Sequence, residues 1–225
     1  CLVGSEMCIR DRSKVILITT AILIIAPAVF FFACDFGNLP AGKRLLASVF
    51  QSVTTRTAGF NTEDLSLMTE AGKAVMILLM LIGGSPSSTA GGMKTTTFAV
   101  LILNALATFR SREDAGAFGR RFDGQVVKNA ATIAMMYFML FFFGGITISV
   151  YEGLPLLTCL YEAASAVGTV GLTLGITPEL HIISRLILIA LMYLGRVGGM
   201  TLIYAVFSRK NNNGAKMPLE KITVG

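Results

Sequence analysis

Apolar residues along the chain gather into unbroken blocks rather than into helical stripes. Blocks 15–34, 131–150 and 186–208 approach or exceed the roughly 20 residues that cross hydrocarbon. A fourth, 74–109, is long enough to span but is interrupted by Gly83, Gly84, Ser85, Pro86, Ser87, Ser88, Thr89, Ala90, Gly91 and Gly92. Stretches 45–55 and 153–161 are also apolar, yet have the length of re-entrant segments. A half-helix followed by extended backbone cannot face lipid, where each unpaired N–H or C=O costs several kcal/mol, so it must line a cavity. The pattern predicts an all-α membrane protein in which a spanning helix, a re-entrant helix and loop, and a second spanning helix occur in tandem.

The two units coincide residue by residue. A shift of 112 residues carries Val15 onto Val127, Gly59 onto Gly171 and Gly83 onto Gly195. Thr57-Ala58-Gly59-Phe60 then faces Thr169-Val170-Gly171-Leu172, and Leu79-Met80-Leu81-Ile82-Gly83 faces Leu191-Met192-Tyr193-Leu194-Gly195. Three matches at one offset, in one order, mark a duplication. The units occupy 13–112 and 127–208, with a linker at 113–126 and a tail at 209–225. Residues 1–12 share neither composition nor periodicity with the rest and read as a non-native leader.

Composition supports the membrane reading: of 225 residues 54% are hydrophobic and 14% charged, and the mean hydropathy is +0.71. The net charge of +6 does not call for nucleic acid, because the charges sort by side of the membrane. Lys14, the five Lys/Arg of 110–128 and the four of the tail fall on one side, against Lys43, Arg44, Lys73 and Arg185 on the other. The positive-inside rule makes the first side cytoplasmic. Two spans per unit then bring both re-entrant segments in from outside. Cys1, Cys8, Cys34 and Cys159 form no metal or disulfide framework. No paired acids, Ser/His set or metal-ligand cluster lies within a span, so the chain is not read as an enzyme and needs no cofactor.

The Thr-x-Gly stretches carry the chemistry. A partly dehydrated cation needs several oxygens at close range, and backbone carbonyls supply them without a fixed negative charge that would hold the ion too tightly. Glycine permits the backbone angles that turn carbonyls inward, and the preceding half-helix presents its negative end. Thr57, Ala58, Gly59 and Phe60, with Thr169, Val170, Gly171 and Leu172, therefore read as two quarters of a filter of backbone carbonyls rather than as ordinary glycine turns, and they resemble a reduced potassium-channel signature with one glycine per loop. Arg56 and Glu162 flank the two quarters as candidate buttresses. In the interruption 83–92, eight of ten positions are Gly, Ser or Thr, freed backbone that must face water or an ion path.

These motifs resemble the Trk/Ktr/HKT superfamily of potassium transporters. The likeness rests on 51–61 (QSVTTRTAGFN), 83–97 (GGSPSSTAGGMKTTT), 162–172 (EAASAVGTVGL) and Gly195-Arg196-Val197-Gly198. The Ser-Pro-Ser-Ser-Thr loop and the short tail are most similar to the membrane subunit of the bacterial Ktr system. The resemblance implies four such units around one pore, of which this chain holds the third and fourth, so that the chain alone supplies half a filter. It implies gated potassium uptake through a multi-pass protein of the bacterial cell membrane, with the loop 83–92 as gate beneath the filter. It further implies a homodimer, a cytosolic ring of nucleotide-binding regulatory subunits, and sodium as a candidate activator. An alternative is a secondary cation transporter, since broken helices and repeats mark those proteins too; parallel repeats and re-entrant Thr-x-Gly loops favour the pore.

Two charges stand near the gate. Lys94 either snorkels to the cytoplasmic interface or acts in the gate. Arg196 is the sole charge of block 186–208, about 15 Å from either end of its span, where exposure to lipid would cost at least about 2.5 kcal/mol. It is expected to face a protein or aqueous interior beside the start of the gate loop, below the filter.

Overall fold

The computed structural model describes residues 2–37, 39–86, 88–111, 116–117 and 120–197. Seven helices account for most of them: α1 Leu2–Cys34, α2 Ala41–Thr54, α3 Glu70–Leu81, α4 Thr95–Phe109, α5 Gly124–Glu152, α6 Leu156–Gly168 and α7 Ile182–Val197. Two-residue strands β1 (Gly116–Ala117) and β2 (Arg120–Arg121) pair in the linker. Ser87, the tail and the last part of block 186–208 lie outside the described residues.

Within the two long helices, Ser13–Cys34 and Gly124–Glu152 are apolar enough to cross a membrane. The expected fourth block is split in two, and its halves are joined by backbone pairing across the interruption. Met93 N–H donates to Leu81 O at 3.0 Å and Gly83 N–H to Met93 O at 2.7 Å, so Ile82 and Met93 pair side by side in parallel. The polar interruption is thereby looped out sideways while α4 continues the course of α3.

Local contacts fix the re-entrant helix α2. Pro27 lies inside α1 and has no N–H for the carbonyl four residues back. Ser52 of α2 attends to that turn, its Oγ donating to Ile24 O at 2.7 Å and approaching Leu23 O at 3.5 Å. Arg44 reaches the last turn of α1, with Nε donating to Phe32 O at 2.6 Å and the guanidinium 4.3 Å from the Phe32 ring centre. Just beyond α1, Asp35 accepts from Thr69 N–H and Oγ1–H, and Thr69 caps α3 by accepting from Gly72 N–H.

The second re-entrant helix differs from the expected 153–161. It begins after Pro155 and continues through Glu162 to Gly168. The added turns consist of Ala163, Ala164, Ser165, Ala166 and Val167, small side chains that let α6 lie close among α3, α5 and α7. Tyr161, Ala163, Ala164 and Val167 are fully buried there. The two re-entrant helices meet on α3: Gln51 Nε2 approaches Met76 Sδ at 3.3 Å and Tyr161 Oη approaches the same sulfur at 3.7 Å. The exposures differ in one respect. Leu45, Leu46, Val49 and Val53 of α2 are exposed, whereas α6 has a helix on each side.

Candidate functional site

Both re-entrant helices end in the same backbone device. Thr57 and Gly59 have φ of 64° and 75°, and Thr169 and Gly171 have φ of 52° and 94°. Thr57 and Thr169 are two of only three non-glycine residues with positive φ among those described, so the conformation belongs to the motif. For a β-branched residue it is a real strain. Ala58 and Val170 between them stay in the ordinary region, so the hand of the backbone alternates along each strip.

Short hydrogen bonds hold each strip. In the first, Thr54 O accepts from Ala58 N–H at 3.2 Å and Gly59 N–H at 3.1 Å, and Thr54 Oγ1 donates to Phe60 O at 2.5 Å. In the second, Ser165 O accepts from Val170 N–H at 2.9 Å, and Ser165 Oγ accepts from Gly171 N–H at 3.2 Å. The sequence does not single out Thr54 and Ser165, because their counterparts at the 112-residue offset are Ala166 and Val53. The two strips also touch each other. A Cβ on Gly59 would collide with Val170 O, while Gly171 has open space before it.

The flanking charges act separately. Glu162 is buried, its Oε1 accepting from Thr173 Oγ1 at 2.6 Å and Leu174 N–H at 2.9 Å, and its Oε2 from Thr177 Oγ1 at 2.8 Å. It fastens the outer loop that follows the second strip. Arg56 Nη2 donates to Gly83 O at 3.1 Å, joining the first strip to the neck of loop 83–92, while its Nη1 is buried without a partner.

Loop 83–92 lies against the second strip. Gly91 N–H donates to Thr169 Oγ1 at 3.1 Å, and any Cβ on Gly91 would strike the Thr169 side chain. Gly92, at φ 68°, packs on Gly168, and a Cβ on Gly83 would strike Gly91 O. Lys94 holds the loop from below, its Nζ donating to Ala90 O at 2.6 Å and Ser88 O at 3.1 Å. Arg196, exposed in the last turn of α7, stands close enough for its charge to act on Lys94. Next to it, a Cβ on Gly195 would strike Val167 O. Of the residues read as filter and gate, Gly59 thus touches Val170, Gly91 touches Thr169, and Lys94 holds Ser88 and Ala90, while Ser87 lies outside the described residues.

Comparison with known proteins bears on this geometry. The sequence profile of TrkH, described as a cation transport protein, matches residues 12–214. The potassium/sodium uptake protein NtpJ of Enterococcus hirae is 39% identical over 225 residues, covering 95% of this chain and 50% of that protein. Ktr system potassium uptake protein B of Bacillus subtilis is 35% identical over 189 residues, covering 84% of this chain and 42% of its own length. The chain therefore spans about half the length of the curated relatives it matches. The crystal structure of the potassium transporter TrkH from Vibrio parahaemolyticus aligns with a TM-score of 0.68 at 20% identity, over 87% of this chain and 44% of that one, which establishes a shared fold.

Proposed function

The chain belongs to the TrkH family of cation transport proteins, and from that premise we propose that it forms the C-terminal half of a gated pore for potassium uptake across a bacterial cytoplasmic membrane. The observation that carries the reading is the recurrence of left-handed Thr and Gly in both strips, which touch at Gly59 and Val170. A carbonyl strip of this kind replaces the hydration shell of a monovalent cation without trapping it. The uncovered face of α2, with Leu45, Leu46, Val49 and Val53 exposed, supports a further unit on that side. α6 is covered by the second helix of the preceding unit, α3, and α2 would be covered in the same way.

The filter assignment comprises Thr57, Ala58, Gly59 and Phe60 with Thr169, Val170, Gly171 and Leu172, and the gate comprises loop 83–92 with Lys94 and Arg196. The basic linker and tail would face the cytoplasm and meet a regulatory subunit there, as the Ktr relatives' description as a system suggests, and the family resemblance implies that this partner is a nucleotide-binding ring. A second copy completes a homodimer. The test is selectivity in the protein completed by its upstream reading frame. At Gly171, φ is 94°, which side chains rarely adopt. Gly171→Ser should raise sodium uptake relative to rubidium in a host lacking its own potassium transport. Unaltered sodium exclusion in a well-expressed variant would overturn the filter assignment.

A further inference from the structure

One buried residue carries most of the first strip. Thr54, the last residue of α2 and 2% exposed, accepts with its carbonyl from Ala58 N–H at 3.2 Å and Gly59 N–H at 3.1 Å, and its Oγ1 donates to Phe60 O at 2.5 Å. Three consecutive strip residues are thus fastened to it. In the second strip the support is divided. Ala166 O accepts from Thr169 N–H at 3.1 Å, Ser165 O from Val170 N–H at 2.9 Å, and Ser165 Oγ from Gly171 N–H at 3.2 Å.

The two hydroxyls act on opposite groups. Ser165 Oγ takes up an N–H of its strip, whereas Thr54 Oγ1 gives a proton to a carbonyl of the other. Among the described residues Phe60 O is the one carbonyl of the two strips that accepts a hydrogen bond, and no donor reaches Leu172 O, its counterpart at the 112-residue offset. A carbonyl oxygen held by a buried hydroxyl is turned toward that hydroxyl, and part of its negative charge is already answered. It is a poorer ligand for a cation than an unengaged one.

We propose that Thr54 is a positioning residue that sets the number of oxygens the filter offers a potassium ion, by withholding the Phe60 carbonyl while that of Leu172 stays available. The role rests on the filter assignment given above and deepens it. An oxygen fewer at that level weakens the seat, which favours release over retention, as conduction requires. A hydroxyl that only braced the turn would act in the other direction when removed, since a loosened strip holds potassium less tightly and excludes sodium less well.

The test measures rubidium uptake kinetics and sodium entry in the protein completed by its upstream reading frame, in a host lacking its own potassium transport, for Thr54→Val, Thr54→Ser and Gly171→Ser. Valine keeps the shape of threonine and lacks the donor. An ordinary hydrogen bond is worth about fivefold in an equilibrium. Freeing Phe60 O should therefore lower the rubidium KM by about fivefold and slow the maximal rate as release becomes harder, with sodium still excluded. Thr54→Ser retains the donor and should bring both values back toward the parent. If Thr54→Val fails to assemble, Thr54→Cys, a weak donor, takes its place with a smaller shift in the same direction. An unchanged or higher KM, or sodium entry, would overturn the role, as would an equal fall in KM with Thr54→Ser. Ser165→Ala bares a donor rather than an acceptor, so a fall in KM there too would mark general loosening and overturn it likewise. Gly171→Ser keeps the two readings apart. Altered sodium entry in that variant with no KM response at position 54 sinks the role of Thr54 alone, whereas no response at either position sinks the filter assignment.

Discussion

Substituting alanine for Gly91 drives a methyl group into the side chain of Thr169. The new carbon would stand 2.7 Å from Thr169 Cγ2 and 3.0 Å from its Cβ, closer still to Oγ1, and all three are under or at the limit of tolerable contact. Thr169 has little room to yield, since it is β-branched and held at φ 52°. The loop must move instead, and Gly91 N–H then loses its bond to Thr169 Oγ1. Overpacking of this kind costs about 1–3 kcal/mol, and a buried donor stripped of its acceptor costs a similar amount. A combined bias of about 2 kcal/mol or more shifts a closed-to-open equilibrium by roughly 30-fold. With the loop as gate, rubidium flux into proteoliposomes without the regulatory partner should rise toward the activated level, with sodium exclusion intact because the strip itself is unaltered. Thr169→Ser, which keeps the acceptor, should leave basal flux close to that of the parent. A Gly91→Ala protein that assembles normally, yet shows unchanged or lower basal flux, would refute the idea that this contact closes the pore.

Two further substitutions test the surroundings. Arg196→Gln removes the charge beside Lys94 and the loop while keeping some hydrogen bonding; uptake should accelerate with intact expression, whereas lower flux with poor assembly would make Arg196 a structural tie. Glu162→Ala leaves Leu174 N–H and the Thr173 and Thr177 hydroxyls without their acceptor and should destabilise the outer loop by about 3 kcal/mol, while Glu162→Gln, able to bond both ways, should cost about 1 kcal/mol. Denaturant titration in detergent would separate the two, and equal losses would count against the hydrogen-bond account.

Much of the architecture was legible because the duplication repeats its most constrained residues. Gly59 and Gly171, read as partners from spacing alone, share a left-handed backbone, and so do Thr57 and Thr169. The extent of α6 was not legible. Ala163 to Ala166 carry too little apolar surface to read as a hydrophobic block, although small residues are what a helix enclosed on several sides needs. The supports at Thr54 and Ser165 escaped notice because the two strips are braced one residue out of register, and a fixed offset cannot reveal such a shift. Lys94 was legible as a charge that either snorkels or acts in the gate, but its partners were not. Its bonds run to the Ser88 and Ala90 carbonyls, and backbone acceptors leave no trace in residue identity.

If loop 83–92 is the gate proposed above, its placement lets one unit govern a pore that several share. Loop 83–92 grows from the second helix of the first unit in this chain, but its contact is with Thr169, in the strip of the next unit. Its neck is bonded to Arg56, in the strip of its own unit. α3, which leads into the loop, also separates the two re-entrant helices and touches both through Met76. Displacing the loop therefore releases a contact on each of the two Thr-x-Gly strips at once. Lys94 fastens the loop's carbonyls from within the same unit, and Arg196 places a second positive charge next to that fastening from the neighbouring one. Bringing like charges together weakens the hold on the loop.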